Sequence, residues 1–297
     1  MAKCINGGMP VVSPEPIRVE WSRGSFCKGI RLMSDLHEGR ADVNYDLIDY
    51  ELEDAHKSED RIILGGDVFE SIFPGDKRYR AEDVHPALRG RSDMQNVALK
   101  RVEKRLARYA DLIDGIGIGN HEAVALHKTA YDIVGDLVER LNGHRSPSLR
   151  PIAQLGWASL IQYEVKDGTK QYPPFTVWYH HGSARTSESH RALRTLHEKS
   201  KGFHADLYWS GHNHALGQTA EIQMMVWKGK LIPRPVRHVI TGAYNMPYQH
   251  QDQASMKRHG RRSNYASEAG YNPHALGGAR VQLSWDKSVF PRIEITQ

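Results

Sequence analysis

The sequence predicts an α/β layered fold with its functional site at the carboxyl edge of the strands. Short apolar runs alternate with stretches of helical period, each apolar run ends in a polar turn, and those turns are rich in Asp, Asn and His. Strands alternating with helices build layered sheets, and ligands of such folds sit beyond the carboxyl ends of the strands.

Residues 1–27 carry Pro10, Pro14 and Pro16 with no sustained period and read as an N-terminal arm or edge segment. Gly29-Ile30-Arg31-Leu32-Met33 is a buried strand that empties into Ser34-Asp35-Leu36-His37-Glu38-Gly39. Val43, Leu47, Ile48, Tyr50, Leu52 and Ala55 then recur at helical spacing over residues 42–58. Arg61-Ile62-Ile63-Leu64 is a second strand, opening into Gly65-Gly66-Asp67-Val68-Phe69-Glu70. Val97, Leu99, Val102, Leu106 and Tyr109 mark the buried stripe of a long helix over residues 93–112. A third strand near residues 115–118 ends in Gly119-Asn120-His121-Glu122 and is followed by one helix over residues 125–141.

From Ile152 the texture turns β-rich. Residues 160–165 and 175–179 read as adjacent strands, the second ending in His180-His181-Gly182. A helix of mixed charge over residues 188–199 precedes the short strand that delivers Gly211-His212-Asn213-His214. Further strands are expected near residues 221–227, 236–241, 279–285 and 292–295, and residues 244–272 read as a long loop. Residues 28–297 are taken as a single catalytic domain.

Composition narrows the class. With 39% hydrophobic and 25% charged residues the chain is that of an ordinary soluble protein, and no apolar run reaches the roughly 18 residues of a membrane span. The N-terminus lacks the apolar core of a secretory signal, so a cytoplasmic location is expected. Two cysteines, Cys4 and Cys27, offer no disulfide framework. A net charge of +5, from 40 basic and 35 acidic residues, permits attraction to phosphates without demanding it. Seventeen histidines are about twice ordinary usage and call for a role.

The strand-end residues supply one. Asp35, His37, Asp67, Asn120, His121, the His180-His181 pair, His212 and His214 are all oxygen or imidazole donors, a set suited to borderline divalent ions rather than to Mg or Ca. Cysteine is absent from it, which disfavours a structural zinc site. Singly, each motif is an ordinary turn; together and in this order they resemble the five motifs of the calcineurin-like metallophosphoesterase family, from residue 35 to residue 214.

The resemblance implies a two-sheet αββα sandwich flanked by helices, with a dinuclear metal site at the strand ends. It implies that Asp35, His37 and His214 hold one ion, that Asn120, His212 and either His180 or His181 hold the second, and that Asp67 bridges them. A ligand histidine directly before glycine is common in the family and favours His181. His121 is then the non-ligand acid that protonates the leaving group, with Glu122 orienting it. The implied cofactors are two divalent ions, Mn foremost, with Fe, Ni, Co or Zn as alternatives. The implied activity is phosphoester hydrolysis, read as a phosphodiesterase acting on nucleotide or nucleic-acid phosphodiesters; a phosphomonoesterase or an inactive phosphate-binding scaffold is the alternative. The stretches around Thr241-Gly242-Ala243-Tyr244, Tyr265-Ala266 and Gly277-Gly278-Ala279 resemble phage-encoded and bacterial phosphoesterases.

Two basic stretches are candidates for meeting a phosphate backbone. One is Arg185, Arg191, Arg194, Lys199 and Lys201, where Glu188 and Glu198 argue for a merely solvated face; the other is Lys257-Arg258-His259-Gly260-Arg261-Arg262.

Overall fold

The computed structural model describes residues 17–22, 27–72, 74–76, 79–167, 170–183, 186, 188–246, 275–285 and 289–297. Two sheets form. In the first, β2 (Cys27–Met33), β3 (Arg61–Leu64), β4 (Ile113–Gly117) and β5 (Ala153–Gly156) run parallel in that order. The antiparallel strands β12 (Ala279–Ser284) and β13 (Arg292–Thr296) extend it beyond β2. The second sheet has the order β1 (Ile17–Ser22), β6 (Ala158–Asp167), β8 (Phe175–His180), β9 (Leu207–Ser210), β11 (Lys230–Ile240) and β10 (Gly217–Trp227), with β7 (Lys170–Gln171) paired to β6. The edge strand β1 thus lies within the segment read as an arm.

Helices α1 (Tyr45–Lys57), α2 (Met94–Leu106), α3 (Asn120–Thr129) and α4 (Ile133–His144) connect strands of the first sheet, and α5 (Ser189–Ser200) connects β8 to β9. Strand alternation sorts their side chains into separate clusters. On β3, Ile62 and Leu64 pack with Ile48 and Leu52 of α1, Leu99 and Val102 of α2, and Leu137 of α4. Ile63, one residue out of phase, instead packs with Ile30 and Leu32 of its own sheet and with Val177, Tyr179, Leu207 and Trp209 of the other. Tyr208, out of phase with its neighbours on β9, joins Ala192 and Leu196 of α5. Buried runs with little alternating polarity are what a sheet covered on both faces requires. Among the described residues no helix is long and apolar enough to cross a membrane.

Three expectations change. The single helix over 125–141 is two, because Ala130 turns left-handed (φ 54°) and the Asp132 carboxylate caps α4 by accepting from Gly135 N at 2.9 Å. The helix over 93–112 ends at Leu106 and tightens into a short 3-10 turn, Ala107–Tyr109. The strand expected at 236–241 starts at Lys230 and pairs with β10 along its whole length. Pro233 and Pro235 masked that beginning, yet they fit. Arg237 N donates to Asp206 O toward β9, and Pro235 and Pro233 follow on the same edge by alternation, past the end of the β9 register. Of the stretch 244–272, Tyr244, Asn245 and Met246 are described; the remainder, with Tyr265-Ala266 and the Lys257–Arg262 run, lies outside the described residues, as do Arg185 and Cys4.

Candidate metal centre

The loops leaving β2 and β3 are laced together, which places their donors side by side. Asp35 N donates to Gly66 O (3.0 Å), His37 N to Asp67 O (3.0 Å) and Glu38 N to Val68 O (2.8 Å), while Glu70 N returns a bond to Glu38 O (2.9 Å). Asp35, His37, Asp67, His212 and His214 all adopt positive φ, between 50° and 69°. Asp and His tolerate that region better than branched residues do, and turns this sharp aim both the backbone and the side chain of a loop at one point. Glycine completes the packing where no Cβ fits: one built on Gly119 would lie 2.1 Å from Asp67 Oδ1, and one on Gly211 would lie 2.5 Å from Asp35 Oδ2.

Three donor groups result, two of them sharing His37. Asp35, His37 and His214 present donor atoms within 4.8 Å of one another; so do Asp67, His181 and His212, and so do His37, Glu70 and His121. Asn120 belongs with the second group, its Oδ1 lying 3.3 Å from His181 Nε2, which is itself 3.4 Å from Asp67 Oδ2. The His180-His181 pair is split. His181 is fully buried among these donors, whereas His180 lies over Trp178 (ring centroids 5.6 Å, planes 27° apart) and its Nδ1 accepts from Gly182 N. His180 is therefore not among the clustered donors: it is the last residue of β8, and strand alternation turns it the other way.

Glu122 is also placed differently from expectation. Its carboxylate is buried and accepts from the backbone N–H groups of Asp67 (3.0 Å), Phe69 (2.8 Å) and Gly119 (2.9 Å), so it fastens the β3 loop to the start of α3. Burial, together with the nearby charge of Asp67, pushes it up to about 7. The carboxylate beside His121 is that of Glu70, which no residue pattern singled out, although it closes the Gly65–Glu70 turn. Glu70 Oε2 is 2.9 Å from His37 Nδ1 and 3.6 Å from His121 Nδ1, and Oε1 is 3.3 Å from the Arg40 guanidinium. His121 Nδ1 also bonds the Glu70 carbonyl, and His121 N donates to Asp67 Oδ1 at 2.9 Å.

The Glu70 bond places the His37 proton on Nδ1, which leaves a lone pair on Nε2, 3.2 Å from His214 Nε2. Asp35 Oδ1 is buried, makes no hydrogen bond, and lies 3.4 Å from the same His214 nitrogen. A buried carboxylate oxygen beside two imidazole nitrogens that lie 3.2 Å apart is a setting that a cation would stabilise. The field has the required sign. Burial alone would raise Asp35, but His214 and His181 bring it down to about 2; burial alone would lower His181, but Asp67 and Asp35 lift it to about 9. The donor set and its charge fit metal ions.

The centre opens into a cavity of about 360 Å³ lined by His37, Asp67, Asn120, His121, His212 and His214 on one side. Arg40 and Arg80 stand on its wall together with Glu38, Glu70 and Asp83, Arg40 being paired with Glu70 and Asp42, and Phe69, Val84, Leu88, Met94 and Ile133 add apolar surface.

No family model matches the chain, and no curated protein matches it either. Among solved structures it is similar to a conserved uncharacterised protein described as a predicted phosphoesterase from Streptococcus pneumoniae TIGR4, at TM-score 0.34 and 10% identity over 91% of this chain and 88% of that one. It is similar to GAP50, the anchor in the inner membrane complex of Plasmodium, at TM-score 0.41 and 10% identity over 88% and 82%. It is also similar to a single mutant of Vps29 from Entamoeba histolytica, at TM-score 0.25 and 11% identity over 90% and 98%. Likenesses of this size carry no conclusion; the chain's own residues do.

Proposed function

We propose that the chain is a divalent-metal-dependent phosphoester hydrolase of the calcineurin-like metallophosphoesterase type, an αββα sandwich cleaving phosphodiesters of nucleotide or nucleic-acid origin. The observation that carries this reading is the convergence of two donor groups, Asp35-His37-His214 and Asp67-His181-His212 with Asn120, at the floor of one cavity. In this reading Asp67 spans both groups.

A pair of divalent ions bound there supplies the charge that lowers the pKa of a water from about 15.7 toward about 7 and offsets charge building on phosphoryl oxygens. The chain's own part is positional and acid–base. Glu70 fixes the His37 ring through Nδ1, so that Nε2 faces the first group. His121 is the general acid. Its Nδ1 is held by the Glu70 carbonyl, and burial, which would lower it, is outweighed by Asp67 and Glu70, so the ring is raised above its ordinary value and keeps a proton on Nε2. The apolar part of the cavity wall, Phe69, Val84, Leu88, Met94 and Ile133, accommodates a base or another flat group.

The test is hydrolysis of bis-p-nitrophenyl phosphate against the monoester, with metal-stripped protein resupplied separately with Mn, Ni, Co, Zn or Mg. Faster diester cleavage, abolished in Asp67→Ala and reduced about 10²–10⁴-fold in His121→Ala, is the expected result. Faster monoester cleavage would make the protein a phosphatase, and no turnover with any metal would overturn the enzymatic reading.

A further inference from the structure

Among the described residues, one cluster of ligating side chains lies outside this centre. His197 on α5, Glu221 on β10 and His238 on β11 offer donor atoms within 4.8 Å of one another. His197 Nδ1 is 2.7 Å from Glu221 Oε1, and His238 Nδ1 is 3.9 Å from the same oxygen. The two imidazoles stack with centroids 5.0 Å apart and planes 29° apart, which directs both Nδ1 atoms at one carboxylate.

His238 makes the cluster more than a surface ion pair. The residue is only 2% exposed, and the Tyr208 ring lies flat against it at 4.8 Å. Ser200 Oγ donates its single proton to the His197 carbonyl at 2.9 Å, so toward His238 Nε2, 3.3 Å away, it is the acceptor. With the Ser200 proton on that carbonyl, the matching tautomer of His238 has its proton on Nε2 and a lone pair on Nδ1. That atom is buried and has no hydrogen-bond partner. A lone pair facing a carboxylate oxygen 3.9 Å away is a setting that a cation between them would stabilise.

We propose that His197, Glu221 and His238 form a separate transition-metal site, of the zinc type, clamping α5 to the β10–β11 hairpin. Two imidazole nitrogens and one carboxylate oxygen are a common zinc set, and closing the 3.9 Å gap around an ion at about 2.0–2.2 Å from each donor is a small adjustment. The His197 and Glu221 side chains are 44% and 33% exposed, which leaves the fourth position to water. Ser200 takes the outer role such sites need, holding the far ring nitrogen of a ligand histidine. None of these residues belongs to the strand-end centre, so this site stands or falls independently of the proposed hydrolase activity.

Metal content settles it. Chelator-stripped, refilled and desalted protein is expected to retain one more equivalent of Zn²⁺ in wild type than in His197→Ala, and Asp67→Ala is expected to keep that extra equivalent. Ser200→Ala is expected to weaken it about 10–100-fold. Co²⁺ in place of Zn²⁺ should give a tetrahedral visible spectrum in Asp67→Ala that disappears in Asp67→Ala/His197→Ala. Should His197→Ala fail to fold by circular dichroism, Glu221→Gln serves the same comparison. Equal zinc content in wild type and a folded variant, with an unchanged cobalt spectrum, would overturn the proposal.

Discussion

Glu70→Gln isolates the contact that the proposed chemistry depends on most indirectly. The substitution preserves size and leaves an oxygen able to accept from His37 Nδ1, but it removes a negative charge 2.9 Å from His37 and 3.6 Å from His121. Arg40 retains its 2.7 Å contact with Asp42, so the loop keeps an ion pair. In the wild type, burial alone would raise Glu70, yet Arg40, His121 and His37 hold it at about 2, so the group is ionised throughout any practical assay range. Full loss of a partner that orients a ligand imidazole costs about 10–100-fold in metal affinity or activity, and the neutral amide, which keeps the bond but not the charge, falls at the lower end, about 10-fold or 1.4 kcal/mol. The apparent Mn²⁺ constant for diester hydrolysis is therefore expected to rise by that factor. The pH profile shifts as well. Glu70 helps hold His121 above its ordinary value, and a general acid works only while protonated, so removing the charge moves the alkaline limb of kcat to lower pH. A folded Glu70→Gln protein with an unchanged Mn²⁺ constant and an unchanged alkaline limb would refute the reasoning.

Other perturbations test the scaffold around the centre. Tyr179→Phe removes the oxygen that accepts from Gly66 N at 2.7 Å inside the core, and urea unfolding should show a loss of about 1–3 kcal/mol, the cost of a stranded buried N–H; an unaltered midpoint would mean that Gly66 finds another acceptor. Burial raises Glu51 above the ordinary value of 4.5 in spite of bonds from Tyr244 Oη (2.7 Å) and Gly278 N (3.1 Å). The folded state thus keeps a proton that the unfolded chain releases, and this contribution to stability falls as pH rises from 4.5 through the folded value; melting curves of Glu51→Gln should lack that slope. Mn²⁺ at a hundred times its dissociation constant should stabilise the stripped protein by about 2.7 kcal/mol, and no rise in Tm on adding the ion would count against the fit of the donor set.

Residue type and order carried the donor set, because metal chemistry restricts side chains severely and the strand-to-loop transitions mark where they stand. Chain direction beyond the transition was less legible. Which of His180 and His181 enters the centre depends on the parity of β8, and that parity is fixed by Trp178 packing against α5 rather than by anything local to the pair. Glu70 was hidden because a carboxylate three residues past Asp67 reads as surface unless the loop is known to fold back onto His37. Glu122 sat in the right motif for the wrong reason, since three backbone donors claim both of its oxygens. The break at Ala130 and the early start of β11 were lost to apolar periodicity and to proline, two signals that tertiary placement overrode. His197, Glu221 and His238 gave no signal at all, as only the hairpin register and the packing of α5 bring them together.

The left-handed turns at Asp35, His37, Asp67, His212 and His214 also bear on the stability of the chain. Each holds an L-residue in a conformation costing on the order of 1 kcal/mol that glycine would adopt freely. Glycine in place of His37 or His214 is therefore expected to relieve that strain while removing a donor, so that folding stability and bound metal move in opposite directions.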